Sequence, residues 1–169
     1  YVALELRTKE LCELAVQKSG RALKFVPEDL KTLELCEVAV KEYGRALADV
    51  PEDMKTLEMC IRAVYDSGSA LEYVPEEFRT QQLCEIAVSD CGRAISYVPE
   101  ELRTVEMCEL AINFDPILMQ YVPEKFKVYK LFKLAVSVTN FKNRNEYIKN
   151  YIPSGFQESL RKAYSVKGE

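Results

Sequence analysis

Histidine and tryptophan are both absent from this sequence of 169 residues. Without histidine, neither a Ser-His-Asp triad nor a Cys-His nucleophile pair can form, and metal ligation is left to carboxylates. The sequence also lacks the GxxxxGK[ST] and GxGxxG loops that cradle phosphate groups. We therefore expect a protein that is not an enzyme, with no metal site and no cofactor.

Long apolar runs are also missing. No stretch of 18 or more apolar residues occurs, and the N-terminus lacks the basic, apolar and small-residue pattern of a secretory signal, so the sequence predicts no membrane span and no export. The chain starts at Tyr1 instead of Met, which we interpret as the start of a fragment of a longer protein. Its 48% hydrophobic and 30% charged residues are typical of a folded protein.

Charge is distributed unevenly along the chain. Residues 1–122 carry 13 Lys and Arg against 23 Asp and Glu, whereas residues 123–169 carry 10 against 4. Phosphate binding requires clustered Lys and Arg, so this acidic body disfavours a nucleic-acid surface along most of its length. The basic C-terminal segment is interpreted as a solvated cap.

A repeat of 24 residues dominates the chain. Four consecutive units without insertions begin at Val26, Val50, Val74 and Val98, each opening with Val-Pro-Glu. A first unit begins at Val2, with Ala3 in place of Pro, and a sixth begins at Val122 and loses the pattern after Val136. Self-similarity at a fixed short period is typical of solenoid proteins.

Each unit predicts a short helix followed by a longer one. Pro suits the first turn of the short helix, and a recurrent Thr is expected to cap the longer helix, as at Thr32 and Thr56. The longer helix is expected to run about eleven residues to a Gly in the left-handed conformation, such as Gly44 or Gly68. The segment RALxxV is then interpreted as a connection to the next unit.

One unit is too small to bury its own apolar face, so neighbouring units must cover it. The expected fold is an all-α solenoid of stacked helix pairs, similar in architecture to leucine-rich variant repeats. We assign residues 1–140 to a six-unit array. Residues 141–169 are assigned to capping helices, the last opening at Pro153 or Ser154, with Leu160 and Tyr164 packing inward.

Five of the six cysteines occupy the same phase of the repeat, meaning the same position within the 24-residue unit: Cys12, Cys36, Cys60, Cys84 and Cys108. Stacked helices lie about 8 to 10 Å apart, which is too far for disulfides and does not allow thiolates to converge on zinc. We interpret them as apolar core residues in the cytoplasm or another reducing compartment, including a host cytosol if the chain is part of a secreted effector. Cys91 has another phase and is expected to be partly exposed.

The recurrent VPEDLKT, LCxxAVK and GRAL segments resemble the repeats of domain of unknown function 4116, found in proteins of bacteria and some microbial eukaryotes. The resemblance covers residue 1 to about 136. It departs at Ala3, at Asp115-Pro116 in place of the Gly, and at Val128 and Phe132 in place of Thr and Cys. It implies no activity, because the family has none assigned.

Phases that vary between units are free to specify a partner. The third unit departs most, because Ile61 replaces Glu, Arg62 replaces an aliphatic residue and Tyr65 replaces a polar one. An Arg row at Arg21, Arg45 and Arg93 suggests either an anion site or a ladder to Glu28, Glu52 and Glu100, and we favour the ladder. The candidate partner-binding residues are Ile61, Arg62, Tyr65, Lys41, Tyr43, Arg21, Arg45 and Arg93.

The expected function is a scaffold that binds a protein or a peptide, without a membrane partner and as a monomer. Two other classes of function remain open. One is a structural spacer beside a separate functional domain, and the other is a small-ligand or enzymatic module, for which a deep polar pocket would be evidence.

Overall fold

A ten-residue α-helix recurs in every unit of the computed structural model, which describes residues 8–139 and 143–164. The six helices are α1 (Lys9–Lys18), α2 (Leu33–Glu42), α3 (Leu57–Asp66), α4 (Gln81–Asp90), α5 (Val105–Phe114) and α6 (Tyr129–Val138). No strand occurs within the described ranges, and the pattern repeats about every 24 residues. The predicted all-α solenoid is therefore confirmed. The start of the first unit, from Val2, lies outside the described residues.

The second helical element of each unit is not the one that the sequence predicts. The predicted short helix is a single 3₁₀ turn of three residues, such as Glu52–Met54. The predicted connection is instead a 3₁₀ helix of six residues, such as Gly44–Asp49. Two causes explain the difference: a capping Thr, such as Thr32, must be extended to act as the cap of its α-helix, and the apolar residues of the connection are buried between two α-helices.

The Thr caps are confirmed. The hydroxyls of Thr32 and Thr56 accept hydrogen bonds from the backbone N–H groups of Leu35 and Met59, at 3.3 and 3.2 Å. The same bond is made by Thr8, Thr80 and Thr104. Each hydroxyl thereby satisfies one of the N–H groups that the first turn of an α-helix leaves unpaired.

The recurrent Gly does not take the left-handed conformation that its position predicts. No Gly among the described residues has a positive φ, and the residue before it, such as Tyr43, closes the helix in extended backbone. Gly is needed here for space. A Cβ on Gly20 would lie 2.2 Å from the carbonyl oxygen of Ala39 in the next unit, and one on Gly68 would lie 2.3 Å from that of Ala87.

Successive units share one continuous core. Each six-residue 3₁₀ helix packs against the α-helix of its own unit and against that of the next. In the second to fourth of these helices, an Ala and a large aliphatic residue are fully buried, as for Ala70 with Leu71 and Ala94 with Ile95. Burying such an aliphatic side chain stabilises the fold by about 2 to 3 kcal/mol. The stack is therefore held by contacts that no single unit can make alone.

Two further helices follow the array: α7 (Arg144–Tyr151) and α8 (Ser154–Tyr164). α8 begins at Ser154, Leu160 is fully buried, and Tyr164 packs against the core while its hydroxyl donates to the carbonyl oxygen of Lys133 at 3.0 Å. These three expectations are confirmed. Residues 165–169 of the predicted cap lie outside the described residues.

Candidate functional site

The α-helices and the six-residue 3₁₀ helices form two layers, and the candidate site lies on the α-helical layer. In α2 to α6, the four residues at the phases of Met59, Cys60, Ala63 and Val64 are buried against the core. The remaining residues of α3, including Tyr65, are mostly exposed. A partner that docks on this layer therefore meets side chains from neighbouring helices.

A groove of about 740 Å³ runs between α2 and α3, and we refer to it as the α2–α3 groove. Its lining residues are Glu37, Val40, Lys41, Thr56, Glu58, Met59, Ile61, Arg62 and Tyr65. Four of the eight residues proposed from the sequence, Lys41, Ile61, Arg62 and Tyr65, thus lie in the same groove. The sequence placed three of them on one helix, but only stacking brings Lys41 of the preceding unit beside them.

The groove has an apolar wall with a polar rim. Tyr65 is 66% exposed and Ile61 is 39% exposed, whereas Met59 and Val40 are buried beneath them. Neither the Lys41 nor the Arg62 side chain makes an ion pair or a hydrogen bond with any residue that the structure describes. Both cations are therefore available to an incoming group.

The other four predicted residues lie elsewhere, in contacts between units. The Arg21 guanidinium stacks over the Tyr43 ring at 4.6 Å, and Arg93 reaches Asp115 at 3.4 Å. A hydrogen bond to Tyr73 raises the pKa of Arg45. In each pair the Arg reaches forward into the next unit, and none of the four lines the α2–α3 groove.

The predicted Arg–Glu ladder is wrong, because Glu28 and Glu52 pair with a Lys of their own unit and the Arg side chains contact the next unit. Glu28 accepts from the Lys31 ammonium at 2.7 Å, and Glu52 pairs in the same way with Lys55. A Lys three residues after the Glu lies across one helical turn, whereas the Arg proposed as partner is held by an aromatic ring or a carboxylate of the next unit. The Arg side chains do link neighbouring units, but their partners are Tyr43 and Asp115 and not the predicted Glu residues.

A row of buried and half-buried cations was not predicted from the sequence. Lys31 donates to the carbonyl oxygen of Asp49 at 2.7 Å, and Lys55 to that of Tyr73 at 2.9 Å. Arg79 and Arg103 donate to the carbonyl oxygens of Tyr97 and Tyr121 in the same way. The recurrent Lys/Arg-Thr pair was the available signal. These cations close the end of the 3₁₀ helix in their own unit and are not free for a ligand.

The thiol column is buried as predicted. Cys36, Cys60, Cys84 and Cys108 are fully buried, and Cys91 is half-buried. Burial raises the pKa of the Cys60, Cys84 and Cys108 thiols to about 11. Within residues 8–139 and 143–164, no group of His, Cys, Asp and Glu side chains is arranged to hold a metal ion.

A second groove, of about 530 Å³, lies between α4 and α5 at the equivalent position two units further along. Its lining residues are Gln81, Glu85, Ile86, Ser89, Thr104, Glu106, Met107 and Leu110. Here Ser89 takes the phase of Lys41, and Leu110 takes that of Arg62. The site therefore has an internal reference with the same backbone and a different surface.

Comparison with known families agrees with the repeat. A model described as Domain of unknown function (DUF4116) matches residues 8–55 and 56–103, which together make up more than half of the chain. The chain belongs to this family. Each DUF4116 match spans two units and starts at a Thr that caps an α-helix. Comparison with curated proteins and with solved structures found no match.

The DUF4116 matches also locate the groove within the family's own period. α2 is the last α-helix of the first match and α3 is the first α-helix of the second, so the α2–α3 groove joins two DUF4116 segments. The α4–α5 groove joins the last α-helix of the second match to α5, which lies beyond that match. Across the residues described, no helix combines the length and the apolar character needed to cross a bilayer.

Proposed function

We propose that this DUF4116 chain is a non-enzymatic scaffold that binds a polypeptide segment of another protein in the α2–α3 groove. One observation carries the proposal: three departures from the repeat in the third unit, Ile61, Arg62 and Tyr65, line one groove. Exposed aromatic and Arg side chains beside an apolar wall are the residue types that contribute most to binding at protein interfaces.

The comparison of grooves supports this choice. At the phases of Ile61, Arg62 and Tyr65, helix α5 has Glu109, Leu110 and Asn113, of which Leu110 lines the α4–α5 groove. An apolar residue replaces Glu, a cation replaces an aliphatic residue, and an aromatic ring replaces an amide.

None of these departures is needed for packing. The core phases of α3, at Met59, Cys60, Ala63 and Val64, follow the repeat and are buried. The surface of α3 therefore departs from the repeat, whereas the core beneath it does not. We expect this pattern where binding to a partner, and not folding, determines which residues occupy the surface.

The proposal of a non-enzymatic role rests on the available chemistry. The sequence has no histidine, and the thiols of Cys60, Cys84 and Cys108 have a pKa raised to about 11 by burial, so they stay protonated near neutral pH. A protonated buried thiol is neither a nucleophile nor a metal ligand. Free thiols in this number also suit a reducing compartment, and we propose the cytoplasm or a host cytosol.

A selection from a displayed library of random 12-residue peptides tests the proposal. We expect enriched peptides that bind the full chain and lose at least about tenfold in affinity to an Ile61→Ala, Tyr65→Ala variant, since two apolar anchors are removed. A Glu109→Ala, Asn113→Ala variant alters the same phases of α5 and serves as the matched control, with unchanged binding. Failure to enrich any peptide, or equal binding by both variants, would reject the proposal.

A structural spacer is the second candidate, and the bonds within and between units favour it. The forward contacts from Arg21 to Tyr43 and from Arg93 to Asp115, with the buried cations, hold the stack without exposing a site. A spacer predicts no selectable peptide. We propose a monomer in either case, with no nucleic acid along the acidic body and no membrane partner, and sedimentation at several concentrations tests the oligomeric state.

A further inference from the structure

The geometry points to an acidic, apolar polypeptide segment as the occupant of the α2–α3 groove. This inference rests on the proposed function and adds the chemistry of the partner: at least one aliphatic or aromatic side chain against Ile61 and Tyr65, and at least one Asp or Glu against Arg62 and Lys41. The exposed Ile61 and Tyr65 side chains favour an apolar anchor, and the charges of the groove favour an acidic residue.

Most cations of the repeat array already have partners. Lys31, Lys55, Arg79, Arg103 and Lys127 donate within their own units, and Arg21, Arg45 and Arg93 contact the next unit. Lys41 and Arg62 have no such contact among the described residues, and both line one groove. An incoming anion can interact favourably with both cations, because they line the same groove of an otherwise acidic body.

The carboxylates of the groove do not reverse this preference. Glu37 and Glu58 also line it, but Glu85 and Glu106 occupy the same two phases in the α4–α5 groove. These Glu residues are a feature of the repeat. Lys41 and Arg62 distinguish the α2–α3 groove from its counterpart, where the equivalent residues, Ser89 and Leu110, are uncharged. The selective part of the groove is therefore cationic.

Arg62 adds geometry to charge. A guanidinium presents a planar fork of N–H donors that fits a carboxylate with two parallel hydrogen bonds. Arg62 takes a phase where other units have a half-buried aliphatic residue, such as Val38 or Ile86, so its side chain begins at the apolar wall. A bound segment with an acidic residue close to an apolar side chain can therefore contact the Arg62 guanidinium and the apolar wall at the same time.

Matched peptides test this inference. From the peptides selected on the full chain, we compare each sequence with a version in which Asp and Glu are changed to Asn and Gln, using fluorescence anisotropy. We expect Asp and Glu to be enriched among the selected sequences, and each neutralised carboxylate to weaken binding about fivefold. Raising the salt concentration should reduce the difference.

Exchanging the charges gives the decisive arm. An Arg62→Glu variant should lose the acidic peptide and bind a version with Lys at the same position, while a Lys9→Glu variant, altered at an exposed site on α1, should keep the original preference. Peptides that are selected without any acidic preference, or that bind the Arg62→Glu variant unchanged, would overturn this inference and leave the proposed function standing. Tyr65-dependent self-association of the chain would also overturn it, whereas failure to select any peptide would overturn both.

Discussion

The backbone N–H of Gly44 donates a hydrogen bond of 2.8 Å to Oδ2 of Asp66, which belongs to the next unit. Gly68 and Asp90 repeat the bond at 2.7 Å one unit further on. Gly44 and Gly68 each begin a 3₁₀ helix, where the first N–H groups have no partner within the helix. The first two units have Lys18 and Glu42 at this phase, whereas in the next two units its Asp caps the 3₁₀ helix of the preceding unit.

Removal of this cap should weaken the stack. We expect Asp66→Ala to lower the free energy of unfolding by about 1 to 3 kcal/mol, because the buried N–H of Gly44 loses its acceptor. Urea denaturation followed by circular dichroism measures the change. Glu42→Ala is the control, since Glu42 has the same phase and no hydrogen bond from its side chain to a described residue, and its effect should stay within about 0.5 kcal/mol. Equal losses in both variants would contradict the capping role.

Glycine substitutions separate close approach from backbone conformation. Gly68→Ala should destabilise the fold by about 1 to 3 kcal/mol, because the new Cβ would lie 2.3 Å from the carbonyl oxygen of Ala87. Gly155→Ala, at the start of α8, meets no heavy atom within 4 Å and should be neutral or stabilising. Thermal melting of the two variants makes the comparison. A neutral Gly68→Ala would mean that the units can separate without loss.

The buried cations should tolerate exchange but not removal. The Lys55 side chain is 4% exposed and donates to Tyr73, so Lys55→Met should cost about 1 to 3 kcal/mol by leaving a carbonyl without its donor. Lys55→Arg should retain most of the stability, since Arg79 performs the same role one unit later. Chemical denaturation tests both, with Lys9→Met as the exposed control. A Met variant as stable as the Arg variant would show that only packing matters here.

Alkaline pH should destabilise the fold through its thiols. The pKa of Cys60, Cys84 and Cys108 is about 11 in the folded chain against 9.0 for an unperturbed thiol, so the unfolded state loses protons first. The contribution of the thiols to the free energy of unfolding is fully present below pH 9. It is lost as the pH rises from 9 towards 11, by about 1 kcal/mol per pH unit for each thiol. Unfolding free energies across this range measure the slope, and Cys84→Ala should reduce it. An unchanged slope in that variant would contradict the prediction.

Thiol labelling should distinguish one cysteine from the others. Cys91 is half-buried, whereas the remaining five are buried, so iodoacetamide should modify Cys91 first in the native protein. Peptide mass spectrometry after timed labelling identifies the sites. We expect all six thiols to react in urea. Rapid labelling of Cys60 in the native state would mean that the stack opens between units.

Much of the architecture could be predicted because it is local or periodic. The Thr caps follow from one residue and the helix beside it, and the buried column at Cys60 and Cys84 follows from its phase in the repeat. The turn at Gly68 could not be predicted in the same way. Its position after a helix suggests left-handed backbone, but the residue is selected by the approach of Ala87, which is distant in sequence.

The candidate site likewise has features that the sequence predicts and features that depend on how the units stack. The sequence identified Ile61, Arg62 and Tyr65 as departures from the repeat, and a departure needs no coordinates to be seen. It could not show that Lys41 lines the same groove, or that Arg93 pairs with Asp115 and Lys31 with Glu28. By itself the sequence determined the period, the caps and the buried phases, since these depend on spacing along one chain. Which polar side chains are free and which are bound was decided only by the tertiary structure, because a long side chain reaches several partners and the stacking of units selects one of them.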